Sequence, residues 1–487
     1  SIDEGQILGL IGENGAGKST MMNMLYGMTE PDIGTIKLFG KEVRIQSPNM
    51  AIKMGIGMVH QHFMLMPNLS VLQNIILGNA PTKNGLIDVK TAKDKITTIM
   101  KQYDLQVNLD EKIYQLSVGE KQRVEIIKAL YREAKILILD EPTAVLTPTE
   151  TDKLLEVLRQ LKSQGVTIIF ITHKLREVMA ITDKIVVMRK GLVTGTLSTD
   201  EARTDTLSDL MVGRKVNLDI PRGKYDPGEK VLEIKGLNAL NQRGLPALKN
   251  VDLYVRKGEI VGIAGVEGNG QTELIETISG MLKPTGGQII FKGEDVTECS
   301  VRERRKRGMS HIPEDRLKMG SAKECTIRDN IILNRYYQRP YCRAGVMDSK
   351  KLLDLSEKLC KDFGVKTPDS SYKLGTLSGG NMQKVILARE LEADPDFLIA
   401  AQPTRGVDIG AIESIHHKLV EVRDSGRGIL LVSAELDEIL SLSDRILVMY
   451  EGEIMAEFKR CEADERMIAV YMTGAKRQGK GGESNEK

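Results

Sequence analysis

Ile7-Leu8-Gly9-Leu10-Ile11-Gly12-Glu13-Asn14-Gly15-Ala16-Gly17-Lys18-Ser19-Thr20 decides the fold. The first five residues are mostly apolar and strand-sized. Gly12–Ser19 fits G-x-x-x-x-G-K-[ST], and Thr20–Tyr26 continues with a helical pattern. Glycines in such a loop let backbone N–H groups curl around phosphate oxygens at a helix N-terminus. The candidate phosphate contacts are Gly12, Asn14, Gly15, Ala16, Gly17, Lys18, Ser19 and Thr20. Lys18 can neutralise β/γ charge, and the Ser19 hydroxyl can ligate Mg²⁺.

Working outward, the same sentence is written twice. Glu4–Gly12 matches Lys257–Gly265, 253 residues on, and Gly55–Gln61 matches Gly308–Glu314 at the same offset. Leu116-Ser117-Val118-Gly119 matches Leu377-Ser378-Gly379-Gly380 at 261, which holds to Met472-Thr473-Gly474. A repeat this long is a duplicated domain rather than a solenoid unit. Expected boundaries are a first domain over 1–217, a Pro/Gly-containing linker over 218–230, a second domain over 231–474 and a disordered tail over 475–487. The chain begins with Ser1 rather than Met. Copy two has Val231–Lys257 ahead of its Gly258, whereas copy one has only Ser1–Glu4 ahead of Gly5. Copy one is therefore expected to lack about its first two strands.

Apolar runs at Ile7–Ile11, Lys135–Leu139, Val166–Ile171 and Lys184–Met188 alternate with helical stretches such as Glu150–Gln164. That order predicts an α/β fold with a mostly parallel sheet. Lys184–Leu197, broken at Lys190-Gly191, predicts an edge hairpin.

Ile136–Leu139 ends in Asp140-Glu141. Asp140 can hold Mg²⁺ through water, and Glu141 can orient and polarise an attacking water. His173 ends another strand, where open α/β sheets bind ligands. It can contact a γ-phosphate, fix the water, or serve structure alone. His60-Gln61-His62 has the spacing of a metal pair without an evident third ligand, and Gln61 reads better as a Mg²⁺ or water contact. Met64 and Met66 either line a soft docking surface or pack in the core.

Composition narrows the classes. Lys and Arg number 69 against 67 Asp and Glu, net +2, which offers no general footprint for nucleic acid. No apolar run approaches the ~18 residues of a membrane span. Five cysteines without a CxxC suggest neither a disulfide framework nor a zinc site, and fit a reducing cytosol. No signal peptide is visible.

Taken together, Gly12–Thr20, Gln61, Leu116–Gln122, Ile136–Glu141 and His173 resemble the Walker A, Q-loop, signature, Walker B and H-loop of an ABC transporter ATPase. Leu377-Ser378-Gly379-Gly380-Asn381-Met382-Gln383 resembles a full signature. The resemblance is to the tandem ATP-binding subunits of bacterial simple-sugar and nucleoside importers, closest to the nucleoside branch at Val59–Leu65 and Glu141–Pro148. It implies two tandem ABC-type domains, each with a mostly parallel sheet core, a helical subdomain and an antiparallel β portion. It implies ATP and Mg²⁺, two membrane-spanning permease subunits and an extracytoplasmic substrate-binding protein, with this chain peripheral at the cytoplasmic face. The alternatives are an exporter ATPase, or a soluble tandem ABC ATPase acting on ribosomes or DNA.

Copy two departs from that pattern in an ordered way. Lys18 becomes Gln271, Gln61 becomes Glu314, Asp140 becomes Ala401, Glu141 becomes Gln402 and His173 becomes Ala434, while Thr272 keeps the hydroxyl of Ser19. Copy one in turn has Val118 within Ser117-Val118-Gly119, and Thr147 where copy two has Asp408. In this family a site joins one domain's phosphate loop to the other's signature. The resemblance thus implies one competent site, Lys18, Ser19, Gln61, Asp140, Glu141 and His173 with Ser378, Gly379, Gly380 and Gln383. The degenerate site would hold Gln271, Thr272, Glu314, Ala401, Gln402 and Ala434 with Ser117, Val118 and Gly119.

Overall fold

The structure, a computed structural model, describes residues 1–487 apart from 14, 61, 62, 144, 145, 147, 173, 216–219, 267, 344, 479–483 and 487. The chain divides into two compact units, Ser1–Val216 and Asn217–Lys487.

In the first unit, Ile7–Gly12, Ile136–Asp140 and Thr167–Ile171 are apolar almost throughout because both sheet faces are covered. Alternation sorts their side chains. Leu137, Leu139, Ile168 and Phe170 join a core with the helices Val71–Ile76, Val89–Gln102 and Val118–Tyr131. Ile138, Ile169 and Ile171 join a second core with Met22 of Lys18–Leu25 on the other face. The six strands run Leu192–Ser198, Lys184–Arg189, Ile7–Gly12, Thr167–Ile171, Ile136–Asp140, Ile56–Val59. All pairs are parallel except the expected edge hairpin. Its turn places Lys190 (φ 50°) and Gly191 (φ 79°) in the left-handed region, as a two-residue turn between twisted strands requires.

The second unit repeats this order with Met309–Ile312, Phe397–Ala401, Gly428–Val432, Ile260–Ala264, Arg445–Tyr450 and Glu453–Lys459. It adds a four-stranded antiparallel sheet of Pro246–Arg256, Lys230–Leu240, Gly286–Phe291 and Glu294–Asp295. Among the described residues of the first unit, the short pair Ile36–Leu38 and Lys41–Val43 stands in that role. No helix among the described residues is long and apolar enough to cross a membrane.

Two segments differ from expectation. Much of the stretch expected as linker is held on the second unit rather than standing free. Ile220 joins that unit's core, Gly223 N–H donates to Asp424 at 2.9 Å, and Tyr225 Oη donates to Glu259 at 2.8 Å. Within the expected disordered tail, Lys476–Gln478 pairs antiparallel with Ser484–Glu486. Arg477 meets Glu453 at 2.6 Å and the Gln478 amide oxygen accepts from Glu457 N–H at 2.9 Å, tying the first of these strands to Glu453–Lys459.

Asp183 and Asp444 occupy equivalent positions, each accepting the first amide of the phosphate-loop strand, from Ile7 and Ile260. Asp444 faces Arg423 with both side chains buried, whereas Asp183 faces Lys162 with both about one-third exposed. Asp444→Ala leaves Nε and Nη2 of the buried Arg423 guanidinium without their acceptor, with Asp424 and the Gly223 carbonyl still on Nη1, and is expected to destabilise the second unit by about 2–3 kcal/mol. Asp183→Ala should cost visibly less in the same urea titration. Equal losses would show that burial of the pair does not set the difference.

Candidate active site

The phosphate loop of the first unit joins Ile7–Gly12 to Lys18–Leu25. Gly15 (φ 81°) and Gly17 (φ 99°) are left-handed, a conformation that glycine adopts without steric cost. Ala16 N–H donates to Glu13 O at 3.0 Å, and Gly191 N–H donates to Ala16 O at 3.0 Å. The edge hairpin therefore braces the loop. A side chain at Gly12 would run into the Met188 carbonyl.

Lys18 is buried, and its ammonium donates to Gly12 O at 2.7 Å and Glu13 O at 3.0 Å. Burial pulls its pKa below the ordinary lysine value, opposed by the charges of Glu141, Asp140 and Glu13. Ser19 Oγ donates to Asp140 Oδ2 at 3.4 Å, so the helix start and the strand end meet. Burial first, then the neighbouring Glu141 charge, push the Asp140 carboxyl above the usual range, while Lys18 and Ser19 hold it down. Two carboxylates against one ammonium leave excess negative charge, and Ser19 and Asp140 supply hard oxygen. That donor set fits Mg²⁺.

Glu141 follows the strand in the left-handed region (φ 47°), its N–H donating to Ile171 O at 2.9 Å. Beneath this turn, Glu177 Oε2 accepts from Thr143 Oγ1 at 2.6 Å and from Thr172 Oγ1 at 3.5 Å, all three buried. Thr172 Oγ1 also accepts from Lys174 N–H at 3.0 Å, so both neighbours of position 173 are pinned. Glu177 is a positioning residue that motif reading missed. The available signal was the match of Thr143 and Glu177 to Thr404 and Glu438 at the same offset. Asn14, Gln61, Thr147 and His173 lie outside the described residues.

His60 stacks edge-on against Tyr26 at 6.0 Å, and burial lowers its pKa. Its proposed metal partner His62 lies outside the described residues, and no cluster of three or more His, Cys, Asp or Glu that could hold a metal occurs among the described ones. Met64 and Met66 are exposed, so they do not pack in the core. Their backbone is fixed by Glu125, Lys128 and Asn74.

The two signature serines cap their helices differently. Ser117 heads Val118–Tyr131, and its hydroxyl donates to Glu120 at 2.8 Å in a capping box. Ser378 heads Gly379–Glu392, and its Oγ accepts from Asn381 Nδ2 at 2.9 Å. The Ser378 proton thus stays available where the Ser117 proton is spent. Gly380 lies against Asp408, which caps the helix Ile409–Asp424. Gly119 and Gln383 are buried, and Val118 is exposed.

In the second unit the loop keeps its shape, with Gly268 at φ 93° and Gly270 at φ 102°. Gln271 Nε2 donates to Val266 O at 3.1 Å, replacing the Lys18 ammonium by a neutral amide. Gln402 has φ 47°, matching Glu141, and its Oε1 accepts from Ala434 N–H at 3.0 Å. Thr272 Oγ1 donates to Glu314 Oε2 at 3.1 Å, and Arg405 faces Glu314 Oε1 at 3.1 Å. Ala401 brings no carboxylate.

The ABC transporter family matches residues 1–144 and 248–405. The guanosine import ATP-binding protein NupO of Bacillus subtilis is 46% identical over 97% of this chain and 93% of its own length. The nucleoside import ATP-binding protein NupA of Lactococcus lactis subsp. cremoris is 45% identical, over 97% and 94%. The glucose import ATP-binding protein TsgD13 of Haloferax volcanii is 44% identical, over 97% and 92%. The archaeal ribosome recycling factor aABCE1, solved with the stalk protein aP1, superposes with a TM-score of 0.66 at 20% identity, over 100% of this chain and 92% of that one. That likeness is one of fold alone. With the phosphate loop, the paired carboxylates and both signature helices in place, the chain is an ABC-type ATPase and belongs to the ABC transporter family.

Proposed function

We propose that the chain energises nucleoside import, with simple sugars as the alternative cargo, by hydrolysing ATP at one competent site. The observation that carries this is the buried Lys18 ammonium facing Asp140 and Glu141 in the first unit, against the neutral Gln271, Ala401 and Gln402 in the second. Groups that act as a unit have been lost as a unit, while the intact signature and Asp408 stand on the unit that lost them. The relatives named for guanosine and nucleoside import support the cargo class. With no span among its described residues, the chain would dock from the cytoplasmic face on two separate permease subunits, supplied by an extracytoplasmic binding protein.

In this proposal the loop amides and Lys18 hold the β- and γ-phosphates. Ser19, Asp140 and Gln61 would hold Mg²⁺, which would offset charge on the phosphate oxygens. Glu141 orients the attacking water and takes its proton, and His173 contacts the γ-phosphate.

Glu141→Gln is expected to lower steady-state ATP turnover by at least about 100-fold, the usual worth of a positioned base. Gln402→Glu should leave turnover near wild type. Appreciable turnover in the Glu141 variant contradicts the assignment. Cargo is tested by uptake of labelled guanosine and ribose in cells with and without the gene. Loss of ribose uptake alone would replace nucleoside by sugar.

The raised Asp140 carboxyl carries a sign. A carboxylate whose folded pKa lies above its unfolded value costs stability as pH rises through that interval and above it. Asp140→Asn should therefore melt higher than wild type at neutral pH without metal or nucleotide. A lower melting point would mean that Asp140 is a net structural support.

A further inference from the structure

The second unit also lacks what a divalent cation needs, in a specific way. Among the described residues, Glu314 is the carboxylate that the loop threonine bonds, and both of its oxygens are engaged. Oε2 accepts from Thr272 Oγ1 at 3.1 Å, and Oε1 meets the Arg405 guanidinium at 3.1 Å. The Arg405 backbone is held by its own turn. Its N–H donates to Gln402 O at 3.2 Å, its carbonyl accepts from the Arg316 guanidinium, and Arg316 also donates to Gly406 O at 3.1 Å. The two changes are reciprocal, since positions 61 and 144 of the first unit are Gln and Ala, and their counterparts are Glu314 and Arg405. In the first unit, Asp140 and Glu141 outnumber Lys18 and call for an added cation. In the second, the carboxylate that bonds Thr272 is already bridged by the Arg405 guanidinium, so an incoming Mg²⁺ would face a cation paired there.

We infer that the second unit carries no divalent metal: Arg405 bridges Glu314, and through it Thr272, at the place where the first unit would seat Mg²⁺, so that nucleotide entering that loop does so metal-free. This rests on the proposed competence of the first unit and concerns the other site.

The test counts Mn²⁺, a paramagnetic substitute for Mg²⁺, bound to the full-length chain with saturating non-hydrolysable ATP analogue, by electron paramagnetic resonance of the free ion. One Mn²⁺ per chain is expected. Asp140→Asn should weaken that one by about 10–100-fold, as loss of a group holding the metal through water does. The double variant Ala401→Asp/Arg405→Ala should raise the count to two. Two ions in the wild type, or one retained at full affinity in Asp140→Asn, overturns the inference. A double variant that stays at one overturns the part assigned to Arg405. No ion in the wild type overturns instead the competence of the first unit.

Discussion

A buried ammonium facing two carboxylates is the interaction on which the site depends. Lys18 can be buried because Gly12 and Glu13 turn their carbonyls onto it, and because Asp140 and Glu141 return opposite charge. Asp140 in turn tolerates burial beside Glu141 only with Lys18 and Ser19 at hand. Removing Lys18 alone leaves two carboxylates uncompensated in a low-dielectric pocket, whereas losing the ammonium and both carboxylates together leaves no unpaired charge behind. The second unit has the complete loss. Gln271 reproduces a hydrogen bond to the loop backbone without the charge, and Ala401 and Gln402 remove the charges it would have balanced.

The backbone is indifferent to this exchange. Glu141 and Gln402 share φ 47°, and Gly15 and Gly17 take the same left-handed conformation as Gly268 and Gly270. Thr143–Glu177 and Thr404–Glu438 brace the turn after each strand at 2.6 and 2.7 Å. In the second unit His416 joins that brace, its ring nitrogen 2.8 Å from Glu438 Oε1. Architecture and chemistry are thus carried by different residues, and duplication could keep one while discarding the other.

Much of this was legible in the order of residues. The strands flanking the phosphate loop are covered on both faces, so Ile7–Ile11 and Val166–Ile171 read as unbroken apolar runs. The Lys190-Gly191 break located the hairpin because only residues tolerant of positive φ close such a turn. Glu177 and Arg405 were not legible from any local motif. Each acts through a partner more than 30 positions away, Thr143 for one and Glu314 for the other, and no local pattern announces a long-range hydrogen bond. The strapped segment after Ile220 was missed for a related reason. Its Pro and Gly content suggested a linker, whereas its anchors, Asp424 and Glu259, lie in distant elements of the second unit. The short strand Lys476–Gln478 is polar and rests on Arg477 and Gln478 contacts that composition does not reveal.

Vanadate trapping with photocleavage and peptide mapping addresses the central claim, that a single phosphate loop supports hydrolysis. Vanadate replaces the departing phosphate only where turnover occurs, and light then cuts the adjacent backbone. Cleavage confined to Gly12–Ser19 is the expected result. Fragments ending within Gly265–Thr272, in equal yield or alone, would contradict the account.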